Sequence, residues 1–146
     1  MAGVGIVIRH SGFDSVIAVF KNGAKRADDV APALRRGGNV MLKSVHNNFI
    51  EAGRPIPWRP LSPAYAVRKA RQGYSILPLT RTGLLRRSIA FRVRNNSLKI
   101  GTSVTYAPYH QFGTSRMPAR PYLIFQDDDI VKINRLVTDH ITKGKV

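Results

Sequence analysis

The chain has 146 residues, 43% of them hydrophobic, which suits one compact domain able to bury a real core. Lys and Arg number 24 against 8 Asp and Glu, a net charge of +16, so the surface repels itself unless it meets a polyanion or an acidic partner. No apolar run approaches the roughly 18 residues of a membrane helix, and zero cysteines exclude disulfides, thiolate metal sites and a thiolate nucleophile.

The opening MAGVGIVIRH has no basic region before its apolar residues and is too short for a signal peptide, so assembly in the cytoplasm is expected. Its VGIVIRH is β-branched and predicts an N-terminal strand. Ser11 is a plausible N-cap for the stretch that follows, where Phe13, Val16, Ile17, Phe20 and Ala24 recur at helical spacing. A second amphipathic helix is predicted from Val30, with Leu34, Met41, Leu42, Val45 and Phe49 as its buried face and Gly53 closing it. Gly37 and Gly38 weaken its middle and predict a break or kink there.

GRPIPWRPLSP holds four prolines in eleven residues, and each lacks an amide donor, so a rigid extended loop is expected. Ser62 and Pro63 read as N-cap and first residue of a short basic helix, AYAVRKAR. QGYSILPLTRTG is a further loop, and LLRRSIA a helical turn. In AFRVRNNSLKIGTS, Phe91 and Val93 alternate with Arg92 and Arg94, Asn95–Ser97 supply the turn, and Leu98 and Ile100 alternate on return: a hairpin. ARPYLIF is predicted to add another strand. DDDIVKINRLVTDHITKGK closes the chain as a helix with acids first and lysines last, as its dipole favours. The expected fold is α+β: a small, mainly antiparallel sheet with helices on one side and an extended proline-rich loop, in a single domain over residues 1–146.

Catalysis is poorly supplied. Acid–base or metal-assisted hydrolysis needs carboxylates at the reacting centre, and none lies close in sequence to His110, although Asp14, Glu51 or Asp139 could fold toward it. His10, His46, His110 and His140 show no metal-ligand spacing, and no GxSxG elbow occurs. Asp127, Asp128 and Asp129 read as helix capping, not a Mg²⁺ cluster, because consecutive residues at a helix start point in different directions. His110 reads as a packed, hydrogen-bonded histidine. No catalytic residue, metal or cofactor is expected.

The charge distribution favours a polyanion. No acid occurs between Glu51 and Asp127, an interval rich in arginine. Arg68, Lys69 and Arg71 share the helix after the proline loop, and Arg86 and Arg87 precede Arg92 and Arg94 of the hairpin. Together they are predicted to form a face toward phosphates or an acidic partner, against the blander reading of a solvated basic surface. No zinc finger, helix-turn-helix or RNA-recognition signature appears, so any nucleic-acid contact is expected to be indifferent to sequence.

WRPLSPAY at 58–65, LTRTGLLRRSI at 79–89, IGTSVTYAPYHQFGT and MPARPYL follow one another in order over roughly residues 41–125. This ordered set resembles the phage virion-morphogenesis or tail-completion family of Mu-like phages and their relatives. The resemblance implies a non-enzymatic structural protein of the head–tail junction, located in the virion. It would act as a neck, tail-completion or tail-terminator subunit in a ring of six or twelve copies. Head-side and tail-side phage proteins would be its neighbours, and DNA would pass through the channel. Six copies would bring about 96 net positive charges, several-fold more than the phosphates inside a ring ~30 Å tall, so part of the excess must meet acidic neighbours or solvent. The alternative is a free-standing basic protein that binds nucleic acid without sequence preference.

Within that frame, YAPYHQFGTSRMPARPYL at 106–123 reads as a shaped corner. Tyr106, Tyr109 and Phe112 are expected to bury a helical turn, Gly113 to permit its exit, and Pro118 and Pro121 to hold the next segment extended. His110 and Gln111 are expected to fix the corner by hydrogen bonds, and Arg120 to reach a carbonyl or carboxylate. Pro60, Leu61, Ser62 and Tyr65 belong to the proline loop and its helix, as structural or subunit-interface residues. Trp58 is either a core plug or an anchor in a neighbouring subunit, since large aromatics dominate both settings.

Overall fold

The computed structural model describes residues 14–144, so the predicted N-terminal strand, Ser11 and Phe13 lie outside the described residues. Six helices and one hairpin follow in the order α1 (Asp14–Asp28), α2 (Ala31–Ile50), α3 (Pro63–Arg71), α4 (Leu84–Arg87), β1 (Ala90–Arg94), β2 (Ser97–Gly101), α5 (Ala107–Phe112) and α6 (Asp127–Lys143). The fold is α+β, as the sequence predicts.

The long α2 is the spine. Asp29 accepts a hydrogen bond from the Ala31 amide at 3.0 Å and Pro32 occupies the first turn, which together start the helix. Ala33, Gly37, Met41, Val45 and Phe49 then recur on one buried face. Both the hairpin and α6 pack on this helix. The predicted break does not form: α2 is continuous through Gly37 and Gly38. These glycines serve close approach instead. A β-carbon at position 38 would fall inside the Phe91 ring, and one at position 37 would stand 3.3 Å from Ile133 of α6. The entropy lost by placing glycine in a helix is offset by the two elements it admits.

The hairpin follows the alternation in its sequence. Asn95 and Asn96 take positive φ, as a two-residue turn matching strand twist demands. Asn96 also bonds outward, donating to the Asp28 carbonyl at 2.7 Å and accepting from the Val30 amide at 3.2 Å. The turn is thereby tied to the α1–α2 junction. At the same junction His140 of α6 bonds the Asp29 carbonyl at 2.8 Å, and Arg26 donates to the Ile141 carbonyl at 2.9 Å. Ile17 and Phe20, two of the residues at helical spacing in α1, are exposed. The contacts of α1 with α6 come through its later turns, around Gly23 and Arg26.

The expected strand over ARPYLIF is absent, and its backbone bonding explains why. The Tyr122 and Leu123 amides both donate to Gln111 Oε1, at 3.1 and 3.0 Å, and the Arg120 amide donates to the His110 carbonyl at 2.7 Å. Pro118 and Pro121 have no amide to offer. A side chain has taken the place of a strand ladder.

The core gathers Met41, Val45, Phe49, Trp58, Leu85, Ile89, Ala107 and Tyr122. Trp58 settles into it at 7% exposure, edge-on to Phe49 with ring centroids 5.7 Å apart, and its indole donates to the Pro121 carbonyl at 2.9 Å. Of its two readings, the core plug holds. Asp129 caps α6 and also accepts from the Ser44 hydroxyl, so the buried acid is a structural joint between α6 and α2.

Candidate functional site

The corner at 106–123 is built on the short α5. With six residues, α5 can turn one side inward, and it turns Ala107, His110 and Gln111. Tyr109 and Phe112 therefore face out, Phe112 at 79% exposure, which corrects the expectation that Tyr106, Tyr109 and Phe112 bury the turn. Tyr106 is also partly exposed and stands edge-on to His110 at 5.6 Å. Ala107 is the buried residue, because only a small side chain fits that close to the core.

Gly113 makes the exit at φ 76°, where a β-carbon would meet the Ala119 amide nitrogen at 2.7 Å and the Met117 carbonyl at 2.9 Å. Gln111 locks the following segment through both of its amide atoms, its nitrogen donating to the Leu123 carbonyl at 3.2 Å. Arg120, buried, donates to the Arg59 carbonyl at 3.0 Å and the Pro60 carbonyl at 3.4 Å. The corner is thus stapled to the proline loop by carbonyls, one of the two partner types expected for this arginine.

His110 fixes the corner through its backbone carbonyl. Its Nδ1 is buried and has no hydrogen-bond partner among the described residues. Burial first, and then the nearby Arg120 cation, hold its pKa below the ordinary 6.5. A depressed base binds fewer protons folded than unfolded, so stability falls as pH drops through 6.5 and the loss levels off below the folded pKa. His110→Gln is expected to flatten the pH dependence of the melting temperature as pH falls below 6.5. Parallel curves for wild type and variant would remove His110 as the cause.

Between the proline loop, α3, the 79–85 loop and the corner lies a cavity of about 1010 Å³. Eight of the site residues singled out in the sequence converge on it: Pro60, Leu61, Ser62, Tyr65, Lys69, Tyr106, His110 and Arg120. Trp58, Gln111, Phe112 and Gly113 do not line it. Arg59, Arg81 and Arg116, which lie within the quoted stretches but were assigned no role there, supply most of its charge, and among the described residues no carboxylate lines it. They come from three separate loops with no shared spacing, so only the fold could reveal them.

The predicted basic face is divided. Arg92 and Arg94 project from the hairpin away from Phe91 and Val93, and Arg92 lies directly opposite Lys99 in the strand register. Like charges facing each other across a ladder are mutually destabilising, and nothing acidic stands among the groove residues around them. Arg68 and Arg71 are exposed on α3, with Arg68 stacked over Tyr65 at 5.1 Å, and Arg86 and Arg87 are exposed on α4. Lys69 does not belong to this face. At 3% exposure it points inward with Tyr65 and Ala66 and donates to the Leu77 carbonyl at 2.7 Å. Desolvation, and then the Arg81 charge, lower its pKa.

Among the described residues no three His, Asp or Glu side chains are placed to hold a metal ion, and no helix is long and apolar enough to cross a membrane. The arrangement is one of stapled loops, exposed aromatics and unbalanced positive charge. The profile of the phage virion morphogenesis family matches residues 13–142, nearly the whole chain. Mu-like prophage FluMu G protein 2 of Haemophilus influenzae is 35% identical over 117 residues, covering 75% of this chain and 77% of that protein. An uncharacterized protein of Methanocaldococcus jannaschii, MJ0331, is 30% identical over 76 residues, 48% of this chain and 56% of that one. No solved structure gave a significant match. The chain belongs to the phage virion morphogenesis family, and its role is a structural one in building the phage particle.

Proposed function

We propose that the chain is a non-enzymatic subunit of the phage head–tail junction, acting at tail completion or in the neck. It assembles into a ring of six or twelve copies through which DNA passes, between head-side and tail-side neighbours. The observation that carries the DNA part of this reading is the outer face of the hairpin, where Arg92, Arg94 and Lys99 stand without a carboxylate among the described residues. A strand pair that keeps two cations in opposition gives up stability unless a polyanion neutralises them. Exposed Phe112 and Tyr109 support burial against neighbouring subunits, since large aromatics anchor interfaces.

The test is the double variant Arg92→Glu, Arg94→Glu. Both side chains point away from the core, so the melting temperature is expected to stay within a few degrees of wild type. Virion assembly or DNA retention is expected to fail. On duplex DNA in vitro, the dependence of log affinity on log salt is expected to shallow by about 2, roughly one per lost phosphate contact. Infectious, DNA-retaining particles from the double variant would mean that this face is merely solvated. The same hairpin supports a second reading, a free-standing nucleic-acid-binding protein. Tight, salt-sensitive duplex binding by a monomer absent from purified particles would favour it.

A further inference from the structure

The arginine-lined cavity is suited to an acidic segment with an apolar side chain. Its floor includes Leu61, Leu85 and Met117, while Arg59, Arg81 and Arg116 are exposed at its walls. The volume of about 1010 Å³ is at the top of the range for small-molecule pockets, with room for a stretch of peptide. Its positive charge is uncompensated. After burial, a positive neighbour further lowers the pKa of three lining groups: Arg59 acts on Arg120, Arg120 on His110, and Arg81 on Lys69.

The chain itself carries a matching segment. Of its few acids, Asp129 is buried against Ser44, Asp139 pairs with Arg135 and Lys143, Glu51 with Arg54, and Asp29 holds the start of α2. Asp127 and Asp128 are exposed and form no ion pair among the described residues. Phe125, 54% exposed, precedes them, and exposed Ile130 and Val131 follow. Asp28 is exposed too, but it lies beside Lys25 and Arg26 and has no large exposed apolar neighbour in sequence.

We propose that the cavity receives residues 125–128 of a second copy of this chain, Phe125 on the apolar floor and Asp127 and Asp128 against the wall arginines. This deepens, and rests on, the ring reading above. The two surfaces share no residue, so each copy gives one segment and takes another. Such a heterologous, head-to-tail contact closes into a ring when its rotation permits. A DNA backbone would satisfy the arginines but would leave the apolar floor without a partner.

Two charge-reversed variants test this, Arg59→Glu with Arg116→Glu, and Asp127→Lys with Asp128→Lys. Self-association is followed by sedimentation velocity at low and high salt, with thermal melting as the check on folding. Each variant alone is expected to self-associate at least about tenfold more weakly than wild type. An equimolar mixture is expected to regain assembly, because every contact between unlike copies again joins opposite charges. Should a reversed variant fail to fold, Arg116→Ala and Asp128→Asn carry the same test with smaller weakening, and their wild-type-like assembly counts against the proposal. Normal assembly by either reversed variant overturns the proposal while leaving the ring standing. A wild type that stays monomeric at every concentration overturns both. Loss of duplex binding by the arginine variant with self-association intact overturns it as well, and assigns the cavity to phosphate.

Discussion

Trp58→Ala is expected to destabilise the subunit by about 3–5 kcal/mol, the range for removing a large aromatic from a packed core. Three losses coincide. The ring leaves a void against Phe49, the edge-on aromatic contact disappears, and the Pro121 carbonyl loses its indole donor at 2.9 Å. At about 2–4 °C per kcal/mol for a domain of this size, the melting temperature is expected to fall by roughly 6–20 °C. Trp58→Phe separates the contributions, keeping most of the volume while removing the donor, and is expected to lose clearly less. Melting of the isolated subunit is the deciding measurement, because an interface anchor would leave it unchanged. A wild-type melting curve with failed assembly would return Trp58 to the subunit interface.

Asn48→Leu is expected to be nearly as damaging, by about 2–4 kcal/mol, although it keeps the branched shape of the side chain and adds apolar surface. Asn48 is fully buried on α2, where its amide nitrogen donates to the Tyr122 carbonyl at 2.9 Å and its oxygen accepts from Arg54 at 3.0 Å. Leucine would leave a buried carbonyl and a guanidinium donor unpaired, and each such loss destabilises by about 1–3 kcal/mol. Arg54 also holds the Ser44 carbonyl at 2.6 Å, so the damage is expected to spread to the loop entering Trp58. Denaturant unfolding reads the effect directly. A variant as stable as wild type would show that these bonds exchange for water at no net loss.

Asn48 also marks a limit of reading from sequence. Nothing in its neighbours distinguishes an asparagine that ties α2 to the corner from one that faces solvent. The choice depends on Tyr122, 74 residues away. Lys69 is a similar case. It stands among exposed Arg68 and Arg71, and only the packing of α3 turns that one position inward toward the Leu77 carbonyl. For Phe112, aromatic character predicted burial, but six residues of helix cannot bury two sides, and the inward side went to Ala107, His110 and Gln111.

What the sequence by itself determined is local or ordered along the chain. Alternation around two asparagines specified the hairpin and put Arg92 and Arg94 on its outer face. Proline placement specified the rigid loop and the start of α3 at Pro63, and three aspartates specified the start of α6. The succession of short motifs identified the family. The tertiary structure alone decided which elements meet: the hairpin and α6 on α2 at Gly38 and Gly37, and Gln111 in place of a strand partner for Tyr122 and Leu123. It also gathered Arg59, Arg81 and Arg116 around one cavity. The physical reason is one of range. Backbone propensity and capping act within a few residues, whereas burial, close approach and charge clustering depend on groups brought together from distant parts of the chain.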